Sequence, residues 1–155
     1  MSVARHDAFT VLLTLPMPPH QVFRAFSDPE RRRGWVRMPG SGAVYEQDFR
    51  VGGFDVARSS FRLPEGDQRL LNTAVYLAID PPGRIVWSYT AAVDDVTRWA
   101  SLVTVELAPT SAGTTVSWTE QVAFLEESTR PQDDLLHLRG AVRLRLNGLA
   151  AAVTG

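Results

Sequence analysis

The stretch "LLHLRGAVRLRLNGLAAAV", residues 135–153, carries a single apolar stripe along its length. The apolar members recur every three or four residues, at Leu135, Leu138, Val142, Leu146, Leu149 and Val153. This spacing follows one face of an α-helix and predicts an amphipathic helix of roughly twenty residues. Arg139, Arg143 and Arg145 lie off the stripe, and we expect them to face solvent. A helix of this kind needs a second apolar surface to pack against.

The preceding residues predict a sheet that supplies this surface. Apolar and polar side chains alternate in seven consecutive segments, which is typical of β-strands with one buried face. We place these strands at residues 9–15, 43–50, 54–61, 69–79, 85–92, 98–107 and 114–124. Because the last six are joined by short turns, such as "DPPG" at residues 80–83, they should form an antiparallel meander.

Two short helices are predicted between the first and second strands. Pro18 and Pro19 suit the start of the first helix, since proline is tolerated in a first helical turn. Val22, Phe23 and Phe26 share one face of that helix and should be buried.

The segment "FSDPERRRGW", residues 26–35, contains three consecutive arginines, at positions 31–33. Ser27 or Asp28 can cap a second short helix. The arginines then fall in its last turn, where cations interact favourably with the helix dipole, and Gly34 stands at the left-handed cap. We therefore favour a helix end over a nucleic-acid or phosphate site.

The composition limits the classes of function. A length of 155 residues suits one domain, residues 1–155, with one core. The 16 basic residues are all arginine and are matched by 17 acidic ones, so we expect no nucleic-acid partner. The absence of lysine and cysteine excludes Schiff-base and thiolate catalysis. No segment is apolar enough to span a bilayer and no signal sequence is evident, so we expect a cytoplasmic protein without membrane contact.

No constellation of catalytic or metal-binding residues is evident. His6, His20 and His137 are far apart and lack the spacing of metal ligands. Neither a nucleophile elbow nor a phosphate loop occurs, and "RVGG" at residues 50–53 is better explained as a hairpin turn. We expect no metal, no cofactor and no catalytic residue.

Glu120 is an unusual acid because strand alternation places it on an apolar face with Val116, Trp118 and Val122. A buried acid needs a partner, and Arg58 on another strand is one candidate. Glu120 is either a pocket acid that contacts a ligand, or a structural group that is ion-paired or at a wet sheet edge. We favour the structural interpretation.

Five stretches carry a resemblance to a known family. They are "VFRAFSDPERRRGW" (22–35), "DFRVGG" (48–53), "DPPGRIVWSY" (80–89), "LVTVELAP" (102–109) with "GTTVSWTEQ" (113–121), and the terminal helix. In this order they resemble the START-like (SRPBCC) superfamily, and within it the bacterial proteins of the family named after the activator of heat-shock-protein ATPase. The resemblance implies an α+β helix-grip fold, with two short helices after strand 1. A curved antiparallel sheet wraps around the long C-terminal helix and leaves a cavity between them.

The implied cavity gives the aromatic residues a candidate role. Trp87 and Tyr89 share a strand face, and Trp35 follows the second short helix, near the cavity mouth in such proteins. The candidate ligand-binding residues are Trp35, Arg58, Tyr76, Trp87, Tyr89, Trp118 and Glu120. Core packing explains the same aromatic residues equally well. The sequence leaves open which sheet face meets the helix.

Three functions are compatible with this fold. The first is a non-catalytic domain that binds a small hydrophobic or aromatic molecule in the cavity. The second is a polyketide cyclase/aromatase-like enzyme that uses Tyr76, Tyr89, Arg58 and Glu120. The third is a cofactor of a chaperone ATPase, although the co-chaperones that name the family carry a further N-terminal domain not found in these 155 residues. We favour binding, because no paired nucleophile and base is present, and the sequence leaves a homodimer open.

Overall fold

The structure is a computed structural model that describes residues 3–36, 38 and 40–154. In chain order its elements are β1 (Arg5–Leu15), α1 (Pro19–Ser27), α2 (Pro29–Trp35), β2 (Ser41–Gln47), β3 (Phe54–Leu63), β4 (Gly66–Asp80), β5 (Arg84–Val93), β6 (Val96–Thr110), β7 (Gly113–Phe124) and α3 (Pro131–Thr154). Every predicted strand and helix is present, and most extend a few residues beyond the predicted bounds.

The strands form one antiparallel sheet in the order β1-β7-β6-β5-β4-β3-β2. Strands β2 to β7 are the predicted meander, and β1 pairs with β7 along its whole length. Strand β7 is therefore an interior strand, and the sheet edges are β1 and β2. The register shifts near Tyr76 and Ala91, and bulges of this kind increase the local twist and bend of a sheet.

Helix α3 packs on the inner face of the curved sheet, which is the helix-grip arrangement. Its stripe residues Leu138, Val142, Leu146 and Leu149 are buried, as the spacing predicts. Leu144, on the opposite side, is 73% exposed. Within the described ranges, no helix is both long and apolar enough to cross a membrane.

The two short helices cover one end of the same core. Helix α1 buries Val22, Phe23 and Phe26, as predicted. Asp28 is the N-cap of α2, because its Oδ1 accepts a hydrogen bond from the Glu30 backbone N–H at 3.0 Å.

Helix α2 continues past the predicted cap. Gly34 lies inside the helix, which ends at Trp35, so the expected left-handed cap at Gly34 is wrong. The extra residue places Trp35 in the core. Arg31 and Arg33 are exposed, whereas Arg32 is buried, so the three arginines do not form one surface.

The "RVGG" segment is the predicted hairpin turn between β2 and β3. The Asp48 N–H donates to the Phe54 carbonyl at 2.7 Å and closes the turn. Gly52 has a φ of 82°, which favours glycine, and its N–H donates to the Tyr76 carbonyl at 2.8 Å. The turn is thus anchored to β4.

Candidate functional site

A cavity of about 580 Å³ lies between the inner face of the sheet and helix α3. Strands β4, β5 and β6 line one side, α3 lines the other, and the loop between β7 and α3 closes one end. This volume is within the range of small-molecule sites in proteins. The fold therefore leaves room for a ligand at the place where the helix-grip resemblance implies a cavity.

The cavity wall is largely apolar. Its apolar members include Leu70, Ala91, Trp99, Phe124, Leu138 and Ala141. The small side chains of Ala91 on β5 and Ala141 on α3 leave the space between strand and helix unfilled. A bulky side chain at either position would occupy part of the cavity.

Tyr89 is one of the polar residues that line the cavity, and its hydroxyl is hydrogen-bonded to the buried Glu120. The Tyr89 hydroxyl donates to Glu120 Oε2 at 2.6 Å and accepts from Trp99 Nε1 at 3.0 Å. Glu120 also accepts from Ser101 Oγ at 2.7 Å and from Trp118 Nε1 at 3.2 Å. Glu120 is 0% exposed, and three donors satisfy its carboxylate.

This network corrects part of the interpretation of Glu120. The acid does lie on the predicted apolar face, but β7 is an interior strand, so Glu120 is not at a wet edge. Arg58 is not its partner, because Arg58 is exposed on the outer face of β3. The alternation of β3 assigned Arg58 to one face correctly, but only the packing of α3 shows which face is the inner one.

The pKa of Tyr89 is well above its ordinary value. Burial is the main cause, and the charge of Glu120 and its hydrogen bond act in the same direction. The hydrogen bond from Trp99 and the positive charge of Arg145 oppose this rise without cancelling it. Tyr89 therefore keeps its proton at neutral pH and presents a fixed neutral hydroxyl to the cavity.

Charged side chains are unevenly distributed around the cavity. Near the start of α3, Arg5 Nη2 lies 2.6 Å from Asp134 Oδ2, and Arg98 Nη1 lies 4.0 Å from Glu126 Oε2. Arg145, further along α3, lines the cavity. Of the three α3 arginines predicted to face solvent, Arg143 is exposed, whereas Arg139 and Arg145 are half-buried. No salt bridge or hydrogen bond joins Arg145 to another residue that the structure describes.

A second buried polar cluster surrounds Arg32, outside the cavity. Arg32 Nη2 lies 3.5 Å from Asp55 Oδ2, and Arg32 Nε donates to the Tyr45 hydroxyl at 3.1 Å. Its guanidinium carbon lies 4.3 Å from the centroid of the Trp35 ring, and the Tyr76 hydroxyl donates to Asp55 at 2.9 Å. The cluster fixes helix α2 to strands β2, β3 and β4.

Five of the predicted site residues belong to the hydrophobic core: Trp35, Tyr76, Trp87, Tyr89 and Trp118. Edge-to-face contacts join the rings of Tyr76 and Trp87 at 6.3 Å and those of Trp87 and Trp118 at 5.1 Å. These aromatic side chains therefore pack in the core, which is the alternative that the sequence left open. Tyr89 lines the cavity, and Glu120 contacts it from behind.

Several cavity residues were not predicted. Trp99 and Asn72 line the cavity from β6 and β4, and Arg145 lines it from α3. A second stripe on α3 was the available signal: Asp134, Leu138, Ala141 and Arg145 recur every three or four residues. In the described part of the chain, no three His, Asp or Glu side chains cluster closely enough to hold a metal ion.

A larger groove of about 880 Å³ lies on the outer face of the sheet. Many of its lining side chains are exposed, among them Thr90, Leu102 and Gln121. Helix α3 packs on the other face, so this groove has no helical wall opposite the strands. Ligand sites bury most of their ligand, and the inner cavity is therefore the better candidate.

Comparison with known proteins agrees with this architecture. The family model described as "Activator of Hsp90 ATPase homolog 1-like protein" matches residues 16–153. The structure of the Mll3558 protein from Rhizobium loti has 37% identity and a TM-score of 0.82, and the match covers 97% of this chain and 99% of that one. A protein from Rhizobium leguminosarum has 30% identity and a TM-score of 0.82, with 98% and 97% covered.

A more distant likeness concerns the fold alone. DynU16, a protein of the dynemicin biosynthetic locus, has 17% identity and a TM-score of 0.67, and the match covers 96% of this chain and 47% of that one. No curated protein matches this chain. The family model spans most of the chain, and two solved structures are at least 30% identical over nearly their whole length. The chain therefore belongs to the Activator of Hsp90 ATPase homolog 1-like family, within the START-like superfamily.

Proposed function

We propose that this protein binds a small hydrophobic or aromatic molecule in the cavity between the sheet and α3. The observation that carries the proposal is the cavity itself, about 580 Å³ with a largely apolar wall. Apolar surface that a ligand buries there contributes about 25 cal/mol per Å². Tyr89 and Asn72 offer polar contacts, and charged side chains, among them Arg98, Glu127 and Arg145, also line the cavity.

The polar groups favour binding over catalysis. Tyr89 holds its proton tightly, and a good general acid has a pKa near the working pH. The Glu120 carboxylate is occupied by three donors and does not line the cavity. Neither group is free to exchange protons with a ligand without breaking this network.

A thermal-shift screen of planar aromatic and polyketide-like compounds tests the proposal. A ligand stabilises the folded state by mass action, by about 2.7 kcal/mol at a hundredfold excess over its Kd. Ala141→Phe should abolish the stabilisation, because the ring fills the cavity from α3. Ala152→Phe is the matched control, since Ala152 is exposed on the same helix and does not line the cavity.

Two results would contradict the proposal. One is that no compound in the screen stabilises the wild-type protein. The other is that Ala141→Phe binds as well as Ala152→Phe, which would place the ligand elsewhere. Equal melting temperatures of the two unliganded variants would confirm that the comparison reports on binding and not on folding.

One observation favours a second function, a polyketide cyclase-like enzyme. Tyr89 lines the cavity, its hydroxyl lies 2.6 Å from the buried Glu120 carboxylate, and DynU16, which has a similar fold, comes from the dynemicin biosynthetic locus. In that case Tyr89 would exchange a proton with the ligand and Glu120 would hold the phenol in place. Turnover of a polyketide-like compound that Tyr89→Phe abolishes, while binding is retained, would favour the enzyme.

A further inference from the structure

The Arg145 side chain carries a positive charge into the cavity and has no salt-bridge or hydrogen-bond partner among the residues that the structure describes. Its neighbours on the cavity side of α3 are Ala141, Leu138 and, at the far end, Asp134. At 1.5 Å per residue, Arg145 lies about 16 Å along the helix from Asp134. The acids at that end of the cavity are Asp134, paired with Arg5, Glu126, which lies near Arg98, and Glu127. No salt bridge joins any of the three to Arg145.

Glu120, the buried acid on the sheet side of the cavity, does not pair with Arg145 either. Arg145 acts electrostatically on the Tyr89 hydroxyl, which places the two groups in the same part of the cavity. Glu120 accepts a hydrogen bond from the Tyr89 hydroxyl, but no salt bridge joins Glu120 to Arg145. Since Ser101 and Trp118 also donate to Glu120, its carboxylate is satisfied without the arginine.

A guanidinium that has no carboxylate partner and lies beside an apolar wall can bind an anion through charge-assisted hydrogen bonds. Carboxylates are especially suitable, because the planar guanidinium binds both of their oxygens. We propose that the cavity ligand is an apolar acid, whose anionic group lies against Arg145 and whose apolar body lies against Trp99, Phe124 and Leu138. This inference rests on the proposed function and adds the class of ligand.

A matched pair of fluorescent probes separates the two proposals. The anionic probe is 8-anilinonaphthalene-1-sulfonate, in which the sulfonate stands in for a carboxylate. The neutral probe is N-phenyl-1-naphthylamine, the same molecule without the sulfonate. Each is titrated into the wild-type protein, Arg145→Gln, Arg143→Gln and Ala141→Phe. Arg143→Gln is the charge control, since Arg143 is exposed on the same helix and its removal changes the net charge equally.

We expect Arg145→Gln to weaken binding of the anionic probe roughly tenfold to a hundredfold, the usual effect of losing a charged hydrogen bond. Binding of the neutral probe should be unchanged, and Arg143→Gln should change neither. If Arg145→Gln weakens both probes equally, or neither, the inference about the acid is wrong. The proposed function would still stand if Ala141→Phe blocks the neutral probe. If neither probe binds the wild-type protein, the proposed function is contradicted as well.

Discussion

Arg32 and Glu120 show how single charges are held inside this fold. Removing an ion from water costs several kcal/mol, so a buried charge persists only with several partners. Arg32 has the Asp55 carboxylate, the Tyr45 hydroxyl and the face of the Trp35 ring. Glu120 has three neutral donors. Both groups couple elements that are far apart in sequence, and each is sensitive to the loss of a partner.

The arginine triplet allows a direct test at the residue scale. Arg32→Ala should lower the free energy of unfolding by about 3–5 kcal/mol, because it leaves Asp55 buried without its charged partner. Arg31→Ala should change it by less than about 0.5 kcal/mol, since Arg31 is exposed. Urea denaturation of both variants measures the difference. Similar losses in the two variants would contradict the distinct role that we assign to Arg32.

The sequence predicted the position of Glu120 but not its partners. Alternation along β7 places Glu120 with Trp118 on an apolar face, and this follows from local geometry. Tyr89 and Ser101 come from β5 and β6, and their approach depends on register across three strands. Register is set by packing of the whole sheet. Local patterns therefore do not reveal which hydroxyl groups reach a given acid.

At the scale of elements, two adjacent faces of α3 have different structural roles. One face buries Val142, Leu146 and Leu149 against the core. The next face presents Ala141 and Arg145 to the cavity. The strong apolar stripe made the first face predictable, whereas the second face has the same helical spacing but mixed chemistry, so it does not stand out in the sequence. The same helix thus stabilises the fold and supplies one wall of the proposed site.

Two leucines on α3, one buried and one exposed, test whether the helix packs against the sheet. Leu146→Ala should cost about 2–5 kcal/mol, the usual range for a buried leucine, because Leu146 is 1% exposed. Leu144→Ala makes the same chemical change at a 73% exposed position and should cost less than about 0.5 kcal/mol. Chemical denaturation followed by circular dichroism gives both values. Comparable losses would mean that α3 does not pack on the sheet as described.

Element types and order could be predicted from the sequence because they depend on local spacing. The end of α2 could not. A glycine after three arginines is typical of a helix end. Here the burial of Trp35 in the core stabilises the fold more than a helix cap at Gly34 would, so α2 continues to Trp35. Tertiary packing outweighs local propensity in such cases. The error at Gly34 also concealed the burial of Arg32.

At the scale of the whole molecule, the family resemblance predicts a ligand cavity, and we propose that the space between the sheet and α3 is that cavity. The aromatic side chains expected to line it form the core instead, since they lie where the sheet and helices pack most closely. The cavity is lined by small side chains such as Ala91 and Ala141 together with larger ones such as Trp99 and Arg145, and a sequence does not show which residues meet there. The fold class was therefore predictable, but most residues of the candidate site were not.

The alkaline stability of the molecule depends on its three tyrosines. The chain has no lysine and no cysteine, so tyrosines are the side chains that ionise just above pH 10. Burial raises the pKa of Tyr45, Tyr76 and Tyr89 alike. The unfolded chain then releases tyrosine protons near pH 10 while the folded chain keeps them. The contribution of the three protonated tyrosines to the stability of the folded state is therefore fully present below pH 10 and is lost as the pH rises further.

We expect the free energy of unfolding to fall by up to about 4 kcal/mol per pH unit above pH 10, since each of three tyrosines contributes about 1.4. Tyrosinate absorbance should appear together with the loss of circular dichroism, as one cooperative transition. Parallel spectrophotometric and dichroism titrations measure this. Tyrosinate that forms near pH 10 in a protein that is still folded would contradict the burial of these hydroxyl groups.

The most direct test of ligand binding in the inner cavity uses the indole N–H signals of the four tryptophans in a ¹⁵N-labelled sample. Trp99 lines the cavity, whereas Trp35, Trp87 and Trp118 lie in the core. On addition of N-phenyl-1-naphthylamine, we predict that the Trp99 indole resonance shifts most, with assignment by Trp99→Phe, together with the amides of Ala91 and Ala141. Absence of any shift, or shifts confined to outer-groove residues such as Leu102 and Gln121, would contradict the account.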